Sequence, residues 1–373
     1  MKTVCNKNQC TSCTACINVC PLNCITLINT PTCTNAVINE NTCINCKQCY
    51  SVCQQVKFQQ HKRKNDTIFI GYVKDNNFLS KSSSGGIAAI IALSFIKNGW
   101  FVCGSIFRNG SFIHYLTNKE EDLDLFRGSK YVKSSLGNIF KAIKNIISKT
   151  KVLFIGTPCQ VYGLQQYLSK FNLLKNLYTI DLICHGTPQQ MVLEKFLKEQ
   201  YNNQKINSIQ FREGFSKSLI INGDKKFSRI IDPYSLAFQF GLIFTDNCYS
   251  CKFSNLYRVG DISLGDAIGE TSSSKSSNKL SLILPNTIRG EELLKIIDNF
   301  IYISVGNSKE LVANNHSLNK PFLKPLKDRN YFFNNFNKKK FKQLIRHIYP
   351  KAYYRQMIKK INLWLKDKFS KHN

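Results

Sequence analysis

The sequence predicts a mixed α/β core with a mostly parallel sheet, preceded by a small α+β domain rich in cysteine. Two observations carry this prediction. Beyond residue 60, apolar runs of strand length alternate with helically spaced stretches, and eleven of the sixteen cysteines fall between Cys5 and Cys53. The apolar content of 43% excludes a largely disordered chain. The alternation is typical of a sheet that helices cover on both faces.

The first elements of the core follow from local patterns. TIFIGYV (67–73) predicts a strand, and the apolar segment 85–97 predicts a buried helix after a serine-rich loop. Residues 100–107 and 111–117 predict a hairpin, because an Asn-Gly pair, a favoured two-residue turn, separates them. Residues 136–149 have apolar side chains at helical spacing.

Two strand–loop–helix units come next, at residues 151–168 and 177–197. Their loops contain Gly-Thr-Pro-Cys and Cys-His-Gly-Thr-Pro. Such loops lie at the C-terminal ends of parallel strands, where functional residues collect. We therefore expect Cys159 and Cys184 at one edge of the sheet. A free cysteine is also common as a small buried apolar residue, so the spacing alone leaves both interpretations open.

The N-terminal cysteines follow a repeated spacing. CTSCTACINVCP (10–21) is C-x2-C-x2-C-x3-C-P, and CINCKQCYSVC (43–53) repeats this spacing 33 residues later. The pattern is that of a bacterial-type two-cluster 4Fe-4S ferredoxin domain, in which the fourth cysteine of each run binds the other cluster. We predict one cluster on Cys10, Cys13, Cys16 and Cys53, and a second on Cys43, Cys46, Cys49 and Cys20.

The alternative for these residues is a pair of structural zinc sites, which usually show cysteine pairs instead of triplets. Gln54 stands where the second run would have its proline. Cys5, Cys24 and Cys33 are left over, and we expect them to be free thiols or small packing residues.

Six motifs occur in order along nearly the whole chain: SSSGG (82–86), RGSKYV (127–132), GTPCQVYGL (156–164), DLICHGTP (181–188), CYSCKF (248–253) and RVGDISLGDAIG (258–269). In this order they resemble the beta-subunit family of coenzyme F-420 (deazaflavin) hydrogenases and dehydrogenases. The resemblance implies FAD and a 4Fe-4S cubane in the α/β core, often with an N-terminal two-cluster ferredoxin segment.

The resemblance implies a third cluster because four cysteines stand at motif positions: Cys159, Cys184, Cys248 and Cys251. Four thiolates are the number that a cubane needs. Taken alone, the last two would favour a small redox disulfide or half of a metal site, and the first two would favour packing residues.

A flavin site is also implied. A serine- and glycine-rich loop before a helix offers free N–H groups to a pyrophosphate, and a glycine at a strand end allows close backbone approach. Each candidate is otherwise an ordinary turn residue or surface cation, and no G-x-G-x-x-G fingerprint is present. The predicted cofactor-binding residues are Ser84, Gly85, Gly86, Lys130, Gly156, Thr157, Arg258 and Asp266.

His185 is the predicted catalytic residue, since it adjoins Cys184 and could donate a proton to substrate or flavin. A histidine that only structures the loop explains the position equally well. Ile268 stands where the family often has an aromatic residue, so the substrates of relatives cannot be transferred to this chain.

These parts predict an iron–sulfur flavoprotein oxidoreductase. It would pass electrons between ferredoxin-type clusters and an FAD site that reduces or oxidises an organic substrate or a deazaflavin coenzyme. The expected partner is ferredoxin or another redox protein. One alternative is a non-catalytic electron-transfer subunit. Another is a zinc-rich nucleic-acid binder, which the triplet spacing opposes, so we expect no nucleic-acid partner.

The formal charge of +29 is concentrated in the C-terminal region, where residues 319–373 hold sixteen Lys and Arg against two Asp. Such an excess favours anionic partners, although lysine as a generic surface residue also explains it. Beyond Pro350, apolar residues fall on one face of a helix: Tyr354, Met357, Ile358, Ile361, Trp364, Leu365 and Phe369. This basic tail could dock on its own core, on an acidic partner or on the surface of an anionic membrane.

The predicted domains are 1–60 (ferredoxin-type), 61–150 and 151–318 (the two parts of the core) and 319–373 (the basic tail). The longest apolar run, residues 86–96, is too short to cross a bilayer, and the N-terminus has no hydrophobic signal region. We therefore expect a cytoplasmic protein in which the cysteines serve metal or redox chemistry.

Overall fold

A computed structural model describes residues 2–60, 67–202, 204–212, 218–224, 227, 230–269 and 279–369. The strands are β1 (Ile25–Asn29), β2 (Thr34–Ile38), β3 (Phe69–Val73), β4 (Phe101–Arg108), β5 (Ser111–Thr117), β6 (Val152–Gly156), β7 (Leu177–Leu182), β8 (Ile209–Gln210), β9 (Ile220–Ile221), β10 (Ile262–Asp266), β11 (Ser281–Pro285) and β12 (Ile301–Val305). The helices are α1 (Ala15–Val19), α2 (Gln48–Ser51), α3 (Asn76–Ser80), α4 (Ile87–Lys97), α5 (Leu123–Phe126), α6 (Ile139–Ile146), α7 (Pro158–Ser169), α8 (Gln190–Tyr201), α9 (Pro233–Gln239), α10 (Ile288–Ile297), α11 (Ser308–Asn314), α12 (Leu326–Asn334), α13 (Phe341–Ile348) and α14 (Pro350–Phe369).

An eight-stranded sheet forms the core, in the order β12-β3-β11-β10-β7-β6-β4-β5. The pairs β10–β7, β7–β6 and β6–β4 are parallel and lie together at the centre. The other four pairs, on the flanks, are antiparallel. Five of the eight strands therefore run in the same direction. The predicted mixed α/β core with a mostly parallel sheet is confirmed, and so is the predicted hairpin, which forms the β4–β5 flank. The antiparallel flank of β11, β3 and β12 was not indicated by the sequence patterns.

Helices cover the central strands on both faces. Helix α4 packs its isoleucines with α10 on one face, and α6 and α7 pack on the other. Val152, Leu153 and Phe154 of β6 are all buried, as expected for a strand with no solvent-facing side. The chain from β6 to α7 turns at Thr157, whose side chain forms a capping box with Gln160.

A helical layer rich in aromatic residues packs beside the sheet. Phe196 of α8, Tyr234 of α9, Phe332 of α12 and Phe341 of α13 are fully buried in one cluster. The Phe341 N–H donates a 2.6 Å hydrogen bond to Glu199 Oε2. The first helices of the basic C-terminal region thus belong to this layer. Among the described residues, no helix is both long and apolar enough to cross a membrane.

The N-terminal segment forms the β1–β2 hairpin with the short helices α1 and α2, and it packs against α6 and α7. Its buried interior consists largely of cysteine, with Val4, Ile25, Ala36 and Ile38. So small an apolar interior supplies little burial of its own, which is typical of domains that rely on metal or disulfide links.

Candidate functional site

Four core cysteines from three separate loops meet at one small cavity. Cys159 lies in the first turn of α7, directly after β6, and Cys184 follows the adjacent strand β7. Cys248 lies within the 3-10 turn Asp246–Ser250, and Cys251 follows it. All four line the same cavity, whose volume is about 30 Å³. The parallel pairing of β6 with β7 places the first two loops side by side, as the loop argument expected.

The thiols that line the cavity resist ionisation, because they are buried and close to one another. Burial raises the pKa of Cys159 to about 12, and burial with the charge of Cys248 also raises the pKa values of Cys184 and Cys251. Hydroxyls lie close to two of the sulfurs: Thr157 Oγ1 is 3.3 Å from Cys159 Sγ, and Thr245 Oγ1 is 3.3 Å from Cys248 Sγ. A bound cationic centre would reverse this balance, because thiols that coordinate a metal are deprotonated.

The predicted catalytic residue, His185, lines the same cavity. Its Nδ1 is 2.9 Å from Oγ of Ser317, which lies in the 3-10 turn His316–Leu318. Histidine and the core cysteines are thus brought together.

The first predicted N-terminal set, Cys10, Cys13, Cys16 and Cys53, lines a second cavity of about 10 Å³. Cys5, expected to be left over, lines it too. A hydrogen bond from the Cys5 thiol lowers the pKa of Cys53 to about 6, whereas burial raises the pKa of Cys13 to about 11. A fifth thiol therefore accompanies the first set.

The second predicted set, Cys20, Cys43, Cys46 and Cys49, lines a larger cavity of about 340 Å³. Cys24 lines it as well, and its Sγ lies 3.3 Å from Cys20 Sγ. Cys46 is exposed, so this set lies nearest to solvent.

Within the described ranges, no three or more Cys, His, Asp and Glu side chains are arranged to hold a single metal ion. A cubane differs from such a site because each thiolate binds a different iron of the cube.

The segment that carries the first N-terminal set contacts helix α7, which carries Cys159 of the core set. Gln54 Nε2 donates a 2.8 Å hydrogen bond to the carbonyl oxygen of Cys159. Helix α7 presents Gly163 to Cys13, and a Cβ at Gly163 would lie 2.7 Å from Cys13 Cβ. Lys133 lies between the two sets, with Nζ 3.4 Å from Ser12 Oγ and 3.3 Å from Thr245 Oγ1. The sequence patterns missed this interface, and the replacement of proline by Gln54 was its only signal.

The serine- and glycine-rich loop packs against strand β3 and the start of β11. Ser84 Oγ donates to the Leu280 carbonyl oxygen at 2.8 Å. A Cβ at Gly85 would lie 2.2 Å from the Gly71 carbonyl oxygen, so backbone packing alone requires glycine there. Gly86 has φ +81° at the start of α4, a conformation that also favours glycine. The fold therefore requires glycine at both positions whether or not a cofactor binds.

A polar group that sequence reasoning missed lies beside this loop and is centred on Arg212. Its Nη2 lies 2.6 Å from Asp266 Oδ2 at the end of β10, and its Nη1 donates to the Ser83 carbonyl oxygen at 3.2 Å. Its Nε donates to the Tyr131 hydroxyl. One arginine thus connects three of the motifs, although it lies in none of them.

The remaining predicted flavin residues are Lys130, Gly156, Thr157 and Arg258, and they lie outside the Arg212 group. Lys130 Nζ donates to the carbonyl oxygens of Phe126 and Arg127 at 2.7 Å each, and burial lowers its pKa to about 7. Thr157 lies at the core cysteine cavity, directly after Gly156, which is packed against Phe154.

Arg258 was predicted to bind a cofactor, but the structure places its guanidinium in a buried ion pair. Its side chain is 1% exposed and its Nη2 lies 2.7 Å from Oδ1 of the fully buried Asp181. It also donates to the carbonyl oxygen of Phe253 at 2.8 Å. A guanidinium whose donors are used inside the protein is not free to bind a phosphate, so these contacts give Arg258 a structural role.

Comparison with known proteins identifies one segment of the chain. Residues 149–310 match the family model for the C-terminal part of the beta subunit of coenzyme F420 hydrogenase/dehydrogenase. A chain of the F420-reducing NiFe hydrogenase complex from Methanosarcina barkeri is similar at 16% identity and a TM-score of 0.48, over 72% of this chain and 97% of that chain. No curated protein sequence matches.

Proposed function

Because residues 149–310 match the family of coenzyme F420 hydrogenase and dehydrogenase beta subunits, we propose that this chain is an iron–sulfur flavoprotein oxidoreductase. It passes electrons between ferredoxin-type clusters in its N-terminal segment and a flavin site in its core. The observation that carries the proposal is the meeting of four core cysteines at one cavity, with Cys159 in contact with the segment of the first N-terminal set.

Three cysteine sets would hold the clusters. They are Cys10, Cys13, Cys16 and Cys53; Cys20, Cys43, Cys46 and Cys49; and Cys159, Cys184, Cys248 and Cys251. Each set lines a cavity of its own, and the donors are thiols, the ligands that iron–sulfur clusters take. Bound clusters would supply one-electron transfer at these places.

The order of the sets follows from their positions. The second set is the most exposed, and the segment of the first set contacts α7 at Cys159 and Gly163. We therefore assign the path between solvent and core as second set, first set, core set. Gly163 keeps this interface close, because any larger residue would push α7 away from Cys13.

The flavin would bind beside the serine-rich loop and the Arg212 group, at the C-terminal end of β10. Ser84 and Asp266 remain the candidate residues, with Gly85 and Gly86 shaping the loop. The ammonium of Lys130, like the guanidinium of Arg258, is used by carbonyl oxygens of the protein itself. FAD would supply the conversion between hydride and single-electron transfer. His185, beside Cys184, is the proposed proton donor to substrate. The substrate class is an organic molecule or a deazaflavin coenzyme.

The proposed redox partner is ferredoxin or another small acidic protein, which docks beside the second cysteine set. Leu22 and Ile44 are exposed there, and Lys2 and Lys47 line the same cavity. Apolar contact with a basic border suits an acidic partner. The proposed compartment is the cytoplasm, where a reducing environment keeps cysteines available for metal and redox chemistry.

Anaerobic purification followed by metal and flavin analysis tests the proposal. We expect about twelve irons per chain, from three cubanes, and one flavin. Arg212→Gln should lower flavin content and leave iron unchanged. Cys33→Ala is the control, since Cys33 belongs to none of the three ligand sets, and it should change neither the iron nor the flavin content. A colourless zinc protein would overturn the proposal.

The alternative, a non-catalytic electron-transfer subunit, is suggested by the naming of the matched family after one subunit. Turnover by the isolated chain separates the two. Reduced ferredoxin or deazaflavin would be supplied with candidate acceptors, and oxidation would be followed spectroscopically. Reduction of the clusters without turnover of any acceptor would favour the electron-transfer subunit.

A further inference from the structure

Helix α14 packs on the protein through one narrow face. Tyr353 is 7% exposed within the aromatic layer, and Leu363 packs against the same cluster. Gln356 Oε1 accepts a 3.0 Å hydrogen bond from the Ile231 N–H. Positions 353, 356 and 363 lie on one side of a helix. This side, and not the predicted apolar face, docks α14 on its own core.

The predicted apolar face remains uncovered where the structure describes its side chains, which excludes Trp364 and Phe369. Tyr354, Ile358, Ile361 and Leu365 follow the spacing i, i+4, i+7, i+11, and we call them the outer stripe. Their exposed fractions lie between 37% and 59%, and Met357 beside them is also exposed. A docked helix that keeps four large apolar residues in water presents a second apolar face to a partner outside the chain.

Basic residues border the outer stripe. At about 100° per residue, Lys351 and Arg355 lie on one side of the stripe, away from the docked face. Both are exposed. Residues 319–373, which include this helix, hold sixteen Lys and Arg against two Asp.

We propose that the outer stripe is a docking surface for an anionic lipid bilayer, with α14 lying in the plane of the interface. An aliphatic stripe beside cationic side chains is the composition of interfacial helices. The stripe runs from Tyr354 to Leu365 along one side of a helix about 30 Å long, so its side chains can enter one planar surface together. Cationic side chains near such a surface gain roughly 1 kcal/mol each from anionic lipid.

Co-sedimentation of the full chain with vesicles tests this surface. The vesicles contain phosphatidylcholine and phosphatidylglycerol in a ratio of about 2:1, with pure phosphatidylcholine for comparison. We expect binding to the mixed vesicles, little binding to the neutral ones, and weaker binding in about 0.5 M salt, where charges are screened.

The variant Ile358→Glu with Ile361→Glu should bind the mixed vesicles more than about tenfold more weakly, because it removes two aliphatic anchors. Leucine at both positions should keep binding. Lys351→Gln should weaken binding about fivefold. Val305→Glu is the matched control, since Val305 is 68% exposed on β12 at the edge of the sheet. Far-UV circular dichroism and iron content should be the same in all variants.

Three results would overturn the proposal. The wild-type chain fails to sediment with the mixed vesicles, or the double Glu variant and Val305→Glu weaken binding equally. The third is that vesicles do not bind, whereas an acidic ferredoxin binds the wild-type chain and does not bind the double Glu variant. None of these results bears on the clusters or the flavin, so the test is independent of the proposed function.

Discussion

The N-terminal cysteine sets and the core set are assembled by different means. The N-terminal sets lie within 44 residues, Cys10 to Cys53, and their spacing alone indicates the proposed ligands. The core set is gathered from three loops between residues 159 and 251, and only the sheet brings these loops together. A site of the first kind depends on its own short segment, whereas a site of the second kind depends on contacts that hold distant loops in place.

Paired cysteine variants give the largest effect that separates the two regions. Cys248→Ser should remove about four of about twelve irons and leave the N-terminal clusters intact. Cys13→Ser should remove a similar number and leave the core cluster. Iron analysis with electron paramagnetic resonance of the reduced protein measures both. Loss of all iron in either variant would show that the two regions do not assemble separately.

Arg258→Met should destabilise the core region selectively. Removing one partner of the buried Arg258–Asp181 pair leaves an uncompensated charge, at a cost of about 3–5 kcal/mol of unfolding free energy. Because Arg258 also binds the carbonyl oxygen of Phe253, close to Cys251, the core iron should fall while the N-terminal iron stays. Denaturant unfolding and iron analysis measure these effects.

Lys81→Met is the matched control for Arg258→Met. It breaks the exposed Lys81–Asp124 pair, in which both side chains are more than half exposed, and it should cost less than about 1 kcal/mol. Equal destabilisation by the two variants would contradict the structural role of Arg258.

Gly163→Ala should act on the interface between the two regions. The new Cβ would meet Cys13 Cβ at 2.7 Å, so α7 or the N-terminal segment must shift, at a cost of about 1–3 kcal/mol. Limited proteolysis should then release the N-terminal segment faster than in the wild type. Gln166→Ala on the same helix tests the effect of alanine itself, and proteolysis at the wild-type rate in Gly163→Ala would contradict the close contact.

The same difference explains how much the sequence could predict. The unit β6–α7 was predicted because apolar runs, turn residues and helical spacing are local signals. The flanking strands β11 and β12, the burial of Arg258 and the position of Arg212 depend on partners far along the chain. Arg258 illustrates the limit, since a motif identifies the position but does not tell whether its guanidinium faces a cofactor or Asp181. For α14, the sequence spacing predicted an apolar face. It did not predict that the helix docks through a different side, where Tyr353 and Leu363 pack against the core.

Gln54→Ala makes the smallest change and tests the link between the first N-terminal set and the core set. It removes one hydrogen bond, from Gln54 Nε2 to the Cys159 carbonyl oxygen, and should cost about 0.5–1.5 kcal/mol of unfolding free energy. The iron content should stay at about twelve per chain, because no ligand is changed. If Gln54 holds the two sets together, the magnetic interaction between the first N-terminal and core clusters should weaken in the reduced protein. Gln59→Ala is the control, since the hydrogen bond from Gln59 to the Tyr162 hydroxyl, at 2.9 Å, comes from the backbone N–H and survives the substitution. An unchanged interaction in Gln54→Ala, with the expected loss of stability, would leave Gly163 and Cys13 as the contact that sets the distance between the two regions.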